Sequence, residues 1–411
     1  MLSETNSAGL PDIGLLTRHS RGTPWHLITP EYPPQGGGVS DYTWRLAAAI
    51  AREGEEVHVW CPGTMGTEVS PEGVTVHREF GRFRPADLRR VARSLDAFSA
   101  PRRMLVQWVP HGYGYRSMNV GFCWWLARRA AGKQDQIALM IHEAFLSFRW
   151  PAVRQNAAAL VHRLMIFLLL RSAQRVWVTI PDWERLLRRY ALGRDVQFGC
   201  LPIFSNVPMA SDRVRTSRIR AEFTRNGKIL IGHFGTFGSL ITPLLKPILR
   251  SLAAENRYSI LLMGEHSQEF RQEMIRDEPG LGDILQATGR LPAEELSYHL
   301  AACDVMIQPY PDGVSARRGS FMAGFCNGCP TVTTTGWLTE SFWAPSQAVA
   351  LAPVGNASAF LKQVRHLCGD PAERERMGHA ARLLYAERFD ISRTVATLRG
   401  AESEKDVQCA F

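Results

Sequence analysis

A chain of 411 residues is longer than one ordinary core fills and suits two domains of about 200 residues each. Its 45% hydrophobic and 21% charged residues are the balance of a folded globular protein, and no stretch reaches the roughly 18 uncharged apolar residues of a membrane span. Of the net charge of +9, residues 1–210 hold 25 Lys and Arg against 17 Asp and Glu, so the basic surplus belongs to the first half, where it suits anionic lipid or a phosphorylated acceptor; no nucleic-acid-binding module accompanies it.

The first 22 residues are polar, carry no apolar h-region and read as a flexible leader, not a signal peptide. Pro24-Trp-His-Leu-Ile-Thr29 is then a short apolar run that ends in prolines and the triplet Gly36-Gly37-Gly38. A helical pattern begins at Asp41, with Trp44, Leu46, Ala47 and Ile50, and stops at Gly54; Glu56-Val-His-Val-Trp60 predicts a second strand. Strand, glycine-rich turn, helix, strand is the opening of a Rossmann-like unit. Further strands are predicted at residues 104–109, 137–141 and 175–179, and a last short one at Leu201-Pro-Ile203, with helical segments between. Such alternation builds a parallel sheet with helices on both faces. The apolar segment 157–170 is interrupted by His162 and Arg163. With Arg128, Arg129 and the Arg185 to Arg189 run, near Trp124, Trp125 and Trp183, it fits a basic, aromatic membrane-contacting face as well as it fits ordinary core and surface.

Pro208 and the polar residues 211–220 read as a linker, closing a first domain at residues 23–208. The same grammar restarts at Ile229-Leu-Ile-Gly232, with a glycine-rich turn, a helix over 244–254 and a strand over 259–263. Strands at 305–308 and 331–333 and a charged helix over 372–387 complete a second domain at residues 209–390. Residues 391–411 are a helix and tail that cross back to the first. The fold class is α/β: two tandem Rossmann-like, doubly wound domains with the active site in the cleft between them. The eight cysteines, with one C-x-x-C pair (Cys326, Cys329) and no His cluster, read as buried reduced thiols and not as a metal or redox centre.

Ligands of open α/β sheets sit beyond the carboxyl ends of the strands, where loops lead into helix N-termini. Gly37 and Gly38 stand there in the first half, and Gly235 and Thr236, within Gly232-His-Phe-Gly-Thr-Phe-Gly-Ser239, in the second. Backbone N–H groups in such loops approach a phosphate closely. A tight turn without ligand is the competing reading for either loop alone; two of them define a cleft. Asp312-Gly-Val-Ser-Ala-Arg-Arg-Gly-Ser320 follows the 305–308 strand and places Ser315, Arg317, Arg318 and Ser320 where a helix begins, suited to a departing pyrophosphate. His142, next to Glu143 at a strand end, can donate to a sugar hydroxyl or exchange a proton near neutral pH, or serve as a satisfied structural histidine. His111 and Tyr113, in Pro110-His-Gly-Tyr-Gly-Tyr115, suit sugar stacking on the acceptor side, which Asp41 joins from the head of the first helix.

Together these residues resemble the GT-B superfamily and, within it, the retaining group 1 glycosyltransferases. Pro33-Pro-Gln-Gly-Gly-Gly-Val-Ser-Asp-Tyr42, Leu46-Ala-Ala-Ala-Ile50 and Gly54-Glu-Glu-Val-His-Val59 look like that family's opening. Phe204-Ser-Asn-Val-Pro208 looks like its interdomain junction, Leu291-Pro-Ala-Glu-Glu-Leu296, Cys303-Asp-Val305 and Gly328-Cys-Pro330 like its donor domain, and Tyr385-Ala-Glu-Arg-Phe389 like the terminal helix that crosses back. The family commonly carries two Glu eight positions apart, one by the donor sugar and one by the ribose; here those positions are Ser315 and Ala323. The resemblance leaves Asp312 to take the sugar contact and Arg317 and Arg318 to strengthen the phosphate end.

The function implied is transfer of a sugar from a nucleotide-diphosphate donor to a glycan, a lipid-linked glycan or a small molecule. No metal and no other cofactor are implied, and no Asp-x-Asp motif stands near the cleft. His142 and Asp312 are the catalytic candidates. Two alternatives stand beside this one: a nucleotide-sugar epimerase on the same fold, and a non-catalytic protein that binds nucleotide sugar or membrane. The basic first half and the segment from Leu164 to Leu170 add an expectation of place, a cytoplasmic enzyme held peripherally on the inner face of an anionic membrane, with no nucleic acid as partner.

Overall fold

The short apolar runs pair side by side and in one direction, which buries both of their faces. A computed structural model describes residues 22–63, 70–132, 134–224 and 227–400. Residues 1–21 of the expected leader and the last eleven residues of the tail, with Cys409, lie outside the described residues. The first sheet is built from β1 (Trp25–Ile28), β2 (Val57–Trp60), β3 (Val74–His77), β4 (Arg102–Trp108), β5 (Asp135–Ile141), β6 (Arg175–Val178) and β7 (Gln197–Cys200), in the order β3-β2-β1-β4-β5-β6-β7. Its helices are α1 (Gly38–Arg52), α2 (Pro85–Asp96), α3 (Val120–Ala131), α4 (Val153–Ser172) and α5 (Pro181–Leu187).

The second half contains α6 (Arg213–Phe223), β8 (Ile229–Phe234), α7 (Thr242–Ala253), β9 (Tyr258–Met263), α8 (Ser267–Asp277), β10 (Leu285–Ala287), α9 (Ala293–Ala302), β11 (Val305–Gln308), α10 (Gly319–Cys326), β12 (Thr331–Thr335), β13 (Ala350–Pro353), α11 (Ala357–Gly369), α12 (Pro371–Arg388) and α13 (Ile391–Leu398). Its sheet runs β10-β9-β8-β11-β12-β13, again all parallel. In both sheets the chain moves outward one way, then returns to the middle and continues the other way. The reversal falls between β1 and β4 and between β8 and β11, and it opens a crevice at the carboxyl ends of those strands.

Period-two alternation sorts each strand between two cores. Along β4, Met104, Val106 and Trp108 join one cluster and Leu105 the other, and all four are buried. Helix starts carry their own signals. Asn119 accepts from Phe122 N, Asp212 from Val214 N and Arg215 N, Asn356 from Ala359 N and Asp370 from Glu373 N, each meeting an N–H that the helix itself leaves unpaired.

Three expectations change. Residues 211–220 are no linker: α6 occupies them, capped by Asp212, and packs on α9 of the second domain through Ile219. The last strand of the first sheet is Gln197–Cys200 and not the apolar Leu201-Pro-Ile203, because Pro202 has no N–H to give a ladder. The segment from Leu164 to Leu170 is mostly core: Met165, Ile166, Leu169 and Leu170 are at most 1% exposed, so they offer nothing to a membrane. By length and composition α4 is also the one helix among the described residues that could cross a bilayer, but that inner side is packed against α3 and the first sheet.

The chain passes between the domains twice. Phe204 belongs to the first core and Val207 to the second; later Phe389 lies in the second and Val395 and Leu398 of α13 in the first, against α1. Arg399 then pairs with Glu53 at 2.8 Å and Glu55 at 3.0 Å beyond the end of α1. At the double passage the Tyr385 hydroxyl accepts from Ser205 N at 3.0 Å. A cavity of about 310 Å³ remains there, lined among others by Trp44, Arg45, Met209, Tyr385 and Asp390.

Candidate active site

On the second domain the site starts where β11 ends. The loop that follows places Asp312 so that each of its carboxylate oxygens accepts from one guanidinium, Oδ1 from Arg318 and Oδ2 from Arg317. Arg318 also lies over the Tyr310 ring at 4.6 Å, and the Tyr310 hydroxyl meets Ser320 Oγ at 2.9 Å. Burial and the neighbouring Arg318 pull the Arg317 guanidinium below its ordinary range, and Asp312 and Glu143 offset part of that. Both arginines keep a buried Nε with no partner. Asp312, expected to touch the sugar, therefore has both oxygens engaged in holding the pair. Ser315, expected to bind donor, is fully buried, with its hydroxyl unpartnered.

The loop itself hangs on a residue the sequence reading did not single out. Glu340, past β12, accepts from Ala316 N at 2.9 Å and from Trp343 Nε1 at 2.7 Å, and burial pushes its carboxyl up to about 7. Nothing local in the sequence signals this contact, since 24 residues separate the partners. Beside β11, the loop after β8 exposes Thr236. The Gly235 N–H is already given to Met263 O at 3.1 Å, and its carbonyl oxygen leaves no room for a side chain at Gly264.

Across the crevice stand the ends of β1, β4 and β5. His142, at the end of β5, meets Gln107 Oε1 through Nε2 at 2.8 Å, and the edge of its ring contacts Tyr42 at 4.8 Å between centroids. Burial pulls its pKa down to about 3, so it is a neutral hydrogen-bonding group at pH 7 and not a residue that exchanges a proton there. Gln107 Nε2 is buried without partner. Exposed His111 lies 3.6 Å from Glu143, and Glu143 is among the charges that act on Arg317 of the other domain. Trp183 of α5 also reaches over, 5.9 Å from the Arg317 guanidinium. The first domain thus meets the arginine pair with one carboxylate and one aromatic face.

Tyr113 is not an acceptor residue. It is fully buried between Trp108 and Phe122 and donates its hydroxyl to Gln107 O at 2.6 Å. The flanking glycines let it turn inward. Gly37 and Gly38 do head α1, but the anion at that helix end is the protein's own: Glu31 Oε1 accepts from Val39 N at 3.1 Å and Ser40 N at 3.0 Å. A Cβ on Gly37 would collide with that carboxylate, and one on Gly36 with the Arg290 guanidinium of the second domain. Asp41, in the first turn, lies within electrostatic reach of Arg290 and Arg45. Among the described residues no group of three or more His, Cys, Asp or Glu could hold a metal ion, and the described cysteines are free and buried.

Comparison with known proteins agrees with the fold. Residues 37–197, from the glycine loop to the start of β7, match the model of the glycosyl transferase 4-like domain. No curated protein matches the chain. Among solved structures, sucrose-phosphate synthase from Thermosynechococcus elongatus superposes with a TM-score of 0.70 at 18% identity, covering 92% of this chain and 98% of its own. Anabaena HepE in complex with UDP and glucose gives 0.66 at 14%, covering 92% and 98%. WaaG, a glycosyltransferase involved in lipopolysaccharide biosynthesis, gives 0.63 at 14%, covering 92% and 100%. At such identities the structures speak for the fold, and the domain match speaks for residues 37–197. Residues 37–197 thus match a glycosyl transferase 4-like domain, and over 92% of its length the chain has the two-domain fold of these solved structures.

Proposed function

We propose that the second domain holds a nucleotide-diphosphate sugar by its diphosphate, and that the first presents the hydroxyl of a glycan, a lipid-linked glycan or a small molecule. The observation that carries this is the Arg317–Arg318 pair, tied to Asp312 at the carboxyl end of β11 and facing Glu143 and Trp183 of the other domain. Two guanidinium groups held side by side by one carboxylate concentrate positive charge in a partly desolvated crevice, where charge on a leaving diphosphate is stabilised most. In the transfer, the bond between the anomeric carbon and the diphosphate oxygen breaks and its electron pair leaves with the diphosphate. The acceptor oxygen forms the new bond and loses its proton. Neutral His142 is a hydrogen-bond partner for a sugar hydroxyl, not the base. The departing diphosphate oxygen can take the proton on the face it leaves, which gives retention of configuration and requires no carboxylate at position 315. In this reading no metal is needed.

The HepE complex with UDP and glucose makes UDP-sugars the first donors to test. The experiment incubates the chain with UDP-, GDP- and ADP-sugars and follows nucleotide-diphosphate release with and without acceptor sugars. Parallel reactions contain chelator or added divalent metal, and the anomeric configuration of any product is read by NMR. Binding of all three diphosphates without any release would favour the second reading, a non-catalytic binder, which the uncharged Ser315 and Ala323 support. Release only with added metal would remove the metal-free mechanism.

A further inference from the structure

Helix α4 is apolar on two sides. One is the core side described above. The other is a stripe of Val153, Ala157, Leu160 and Leu164, spaced four, three and four residues apart so that they share one face. All four are exposed, Val153 at 79% and Leu160 at 61%. The loop that leads into α4 adds Leu146, Phe148 and Trp150, the last 93% exposed. This loop is fixed, not loose: Leu146 N donates to His162 Nδ1 at 3.3 Å, Arg149 N to Asn156 Oδ1 at 2.8 Å, and Gln155 Nε2 to Ser147 O at 3.0 Å. Arg163 lies over the Phe148 ring at 3.9 Å. The aromatics are held outward by bonds to the helix they precede.

Charge narrows the occupant. From residue 105 to residue 180 the sequence has nine Lys and Arg and two carboxylates, Asp135 and Glu143. Asp135 is buried between Arg102 and Arg129, and Glu143 faces the cleft. Arg116, Arg149 and Arg154 are exposed and, among the described residues, have no carboxylate in ion-pair range. A second copy of the chain would bring the same cations against these. Nucleic acid offers phosphate but nothing to cover the aliphatic stripe. An anionic bilayer answers both halves: lipid phosphates for the arginines and an acyl boundary for Trp150, Phe148, Val153, Leu160 and Leu164.

We propose that residues 146–164 form a surface that docks on a bilayer of anionic phospholipid, Trp150 and Phe148 entering the interface and Arg149 and Arg154 pairing with headgroups. This deepens the glycosyl-transfer reading by assigning the acceptor domain a lipid surface as partner, and it rests on that reading only for its purpose.

The test is sedimentation of the full chain with phosphatidylcholine vesicles and with mixed phosphatidylcholine–phosphatidylglycerol vesicles, with neither donor nor acceptor present. Binding to the mixed vesicles, near background on the neutral ones, is expected. It should fall roughly tenfold or more between about 0.1 M and 1 M salt, as the screening length drops from about 10 to about 3 Å. A variant with Trp150→Ser, Val153→Ser and Leu160→Ser, and another with Arg149→Glu and Arg154→Glu, should each lose about tenfold in partitioning while keeping wild-type circular dichroism. No binding to mixed vesicles at low salt, equal binding to neutral ones, or wild-type partitioning by either variant overturns the proposal. So does a vesicle-free dimer that the serine variant abolishes. Transfer to a soluble acceptor, unchanged in both variants, reports on the chemistry separately. A chain that docks but does not transfer refutes the reading above and leaves this one standing.

Discussion

Arg317 and Arg318 carry the donor reading, and each can be removed alone. Arg317→Ala or Arg318→Ala should weaken nucleotide-diphosphate binding by about 1.5–3 kcal/mol, the range of a hydrogen bond to a charged group, measured by calorimetry. Wild-type affinity in both variants would place the diphosphate elsewhere. For His142 the expected signature is different. His142→Ala should lower kcat about tenfold and leave nucleotide affinity nearly unchanged, and the pH profile between 5 and 8 should keep its shape, because the imidazole does not titrate there. Glu340→Ala strands two buried donors, Ala316 N and Trp343 Nε1, so it should cost about 3 kcal/mol in urea unfolding and loosen the arginine loop above it. Burial also lowers the pKa of His26 to about 3 and of His233 to about 4. Above pH 6.5 these two and His142 are neutral in both states; below it the unfolded chain takes up protons that the folded chain refuses. Stability therefore falls with pH from about 6.5 downward, by about 1 kcal/mol per histidine for the first unit, and Glu340 works the opposite way between 4.5 and about 7. Urea midpoints at pH 7.5 and 5.5 should show the net loss. At this scale the sequence revealed that His142 follows a strand directly and that Arg317 and Arg318 stand just before a helix, because element ends follow from local pattern. It concealed where side chains turn. Tyr113 between two glycines looks like an open aromatic face, yet its ring completes a core, and Glu31, Glu340 and Arg290 act through contacts that only the folded chain creates.

Among the elements, α1 shows how a loop read as an anion site answers itself. Glu31 occupies the N–H groups that a phosphate would take, and glycine at 37 leaves room for its carboxylate. Glu31→Ala should destabilise the chain by about 1 kcal/mol, as loss of a helix cap does, with little change in nucleotide affinity; a marked gain in affinity would show that Glu31 competes with a donor phosphate. The strands that pattern revealed, β1, β2, β4, β5, β6, β8, β9, β11 and β12, are buried runs of apolar or β-branched residues. Those it missed or misplaced lack that signature: β3 buries only Val74, β7 only Cys200, β10 has three residues, and β13 includes a proline. In α6 the misreading had the same cause, since one buried side chain, Ile219, leaves a helix that looks like polar linker. For α13 the anchor is apolar: Leu398→Ala, in a site 7% exposed, should cost about 2–4 kcal/mol in the same unfolding assay.

At the level of the whole molecule, the tandem architecture was legible because the strand–helix grammar stops and restarts, and two crevices at corresponding switch points follow from topology. How the crevices meet was not, since it depends on side chains such as Arg290 against Gly36 and Trp183 against Arg317. The double passage of the chain has a mechanical consequence. Two bodies joined by one tether can tumble in three independent directions; joined at two points, they keep only the rotation about the line through both. Here the points are the segment around Ser205 and the turn around Phe389, pinned to each other through the Tyr385 hydroxyl, with a cavity between them whose walls belong to both bodies. Any opening of the crevice would then be a swing about that axis, carrying the arginine loop and the end of β5 along one arc back to the same mutual alignment.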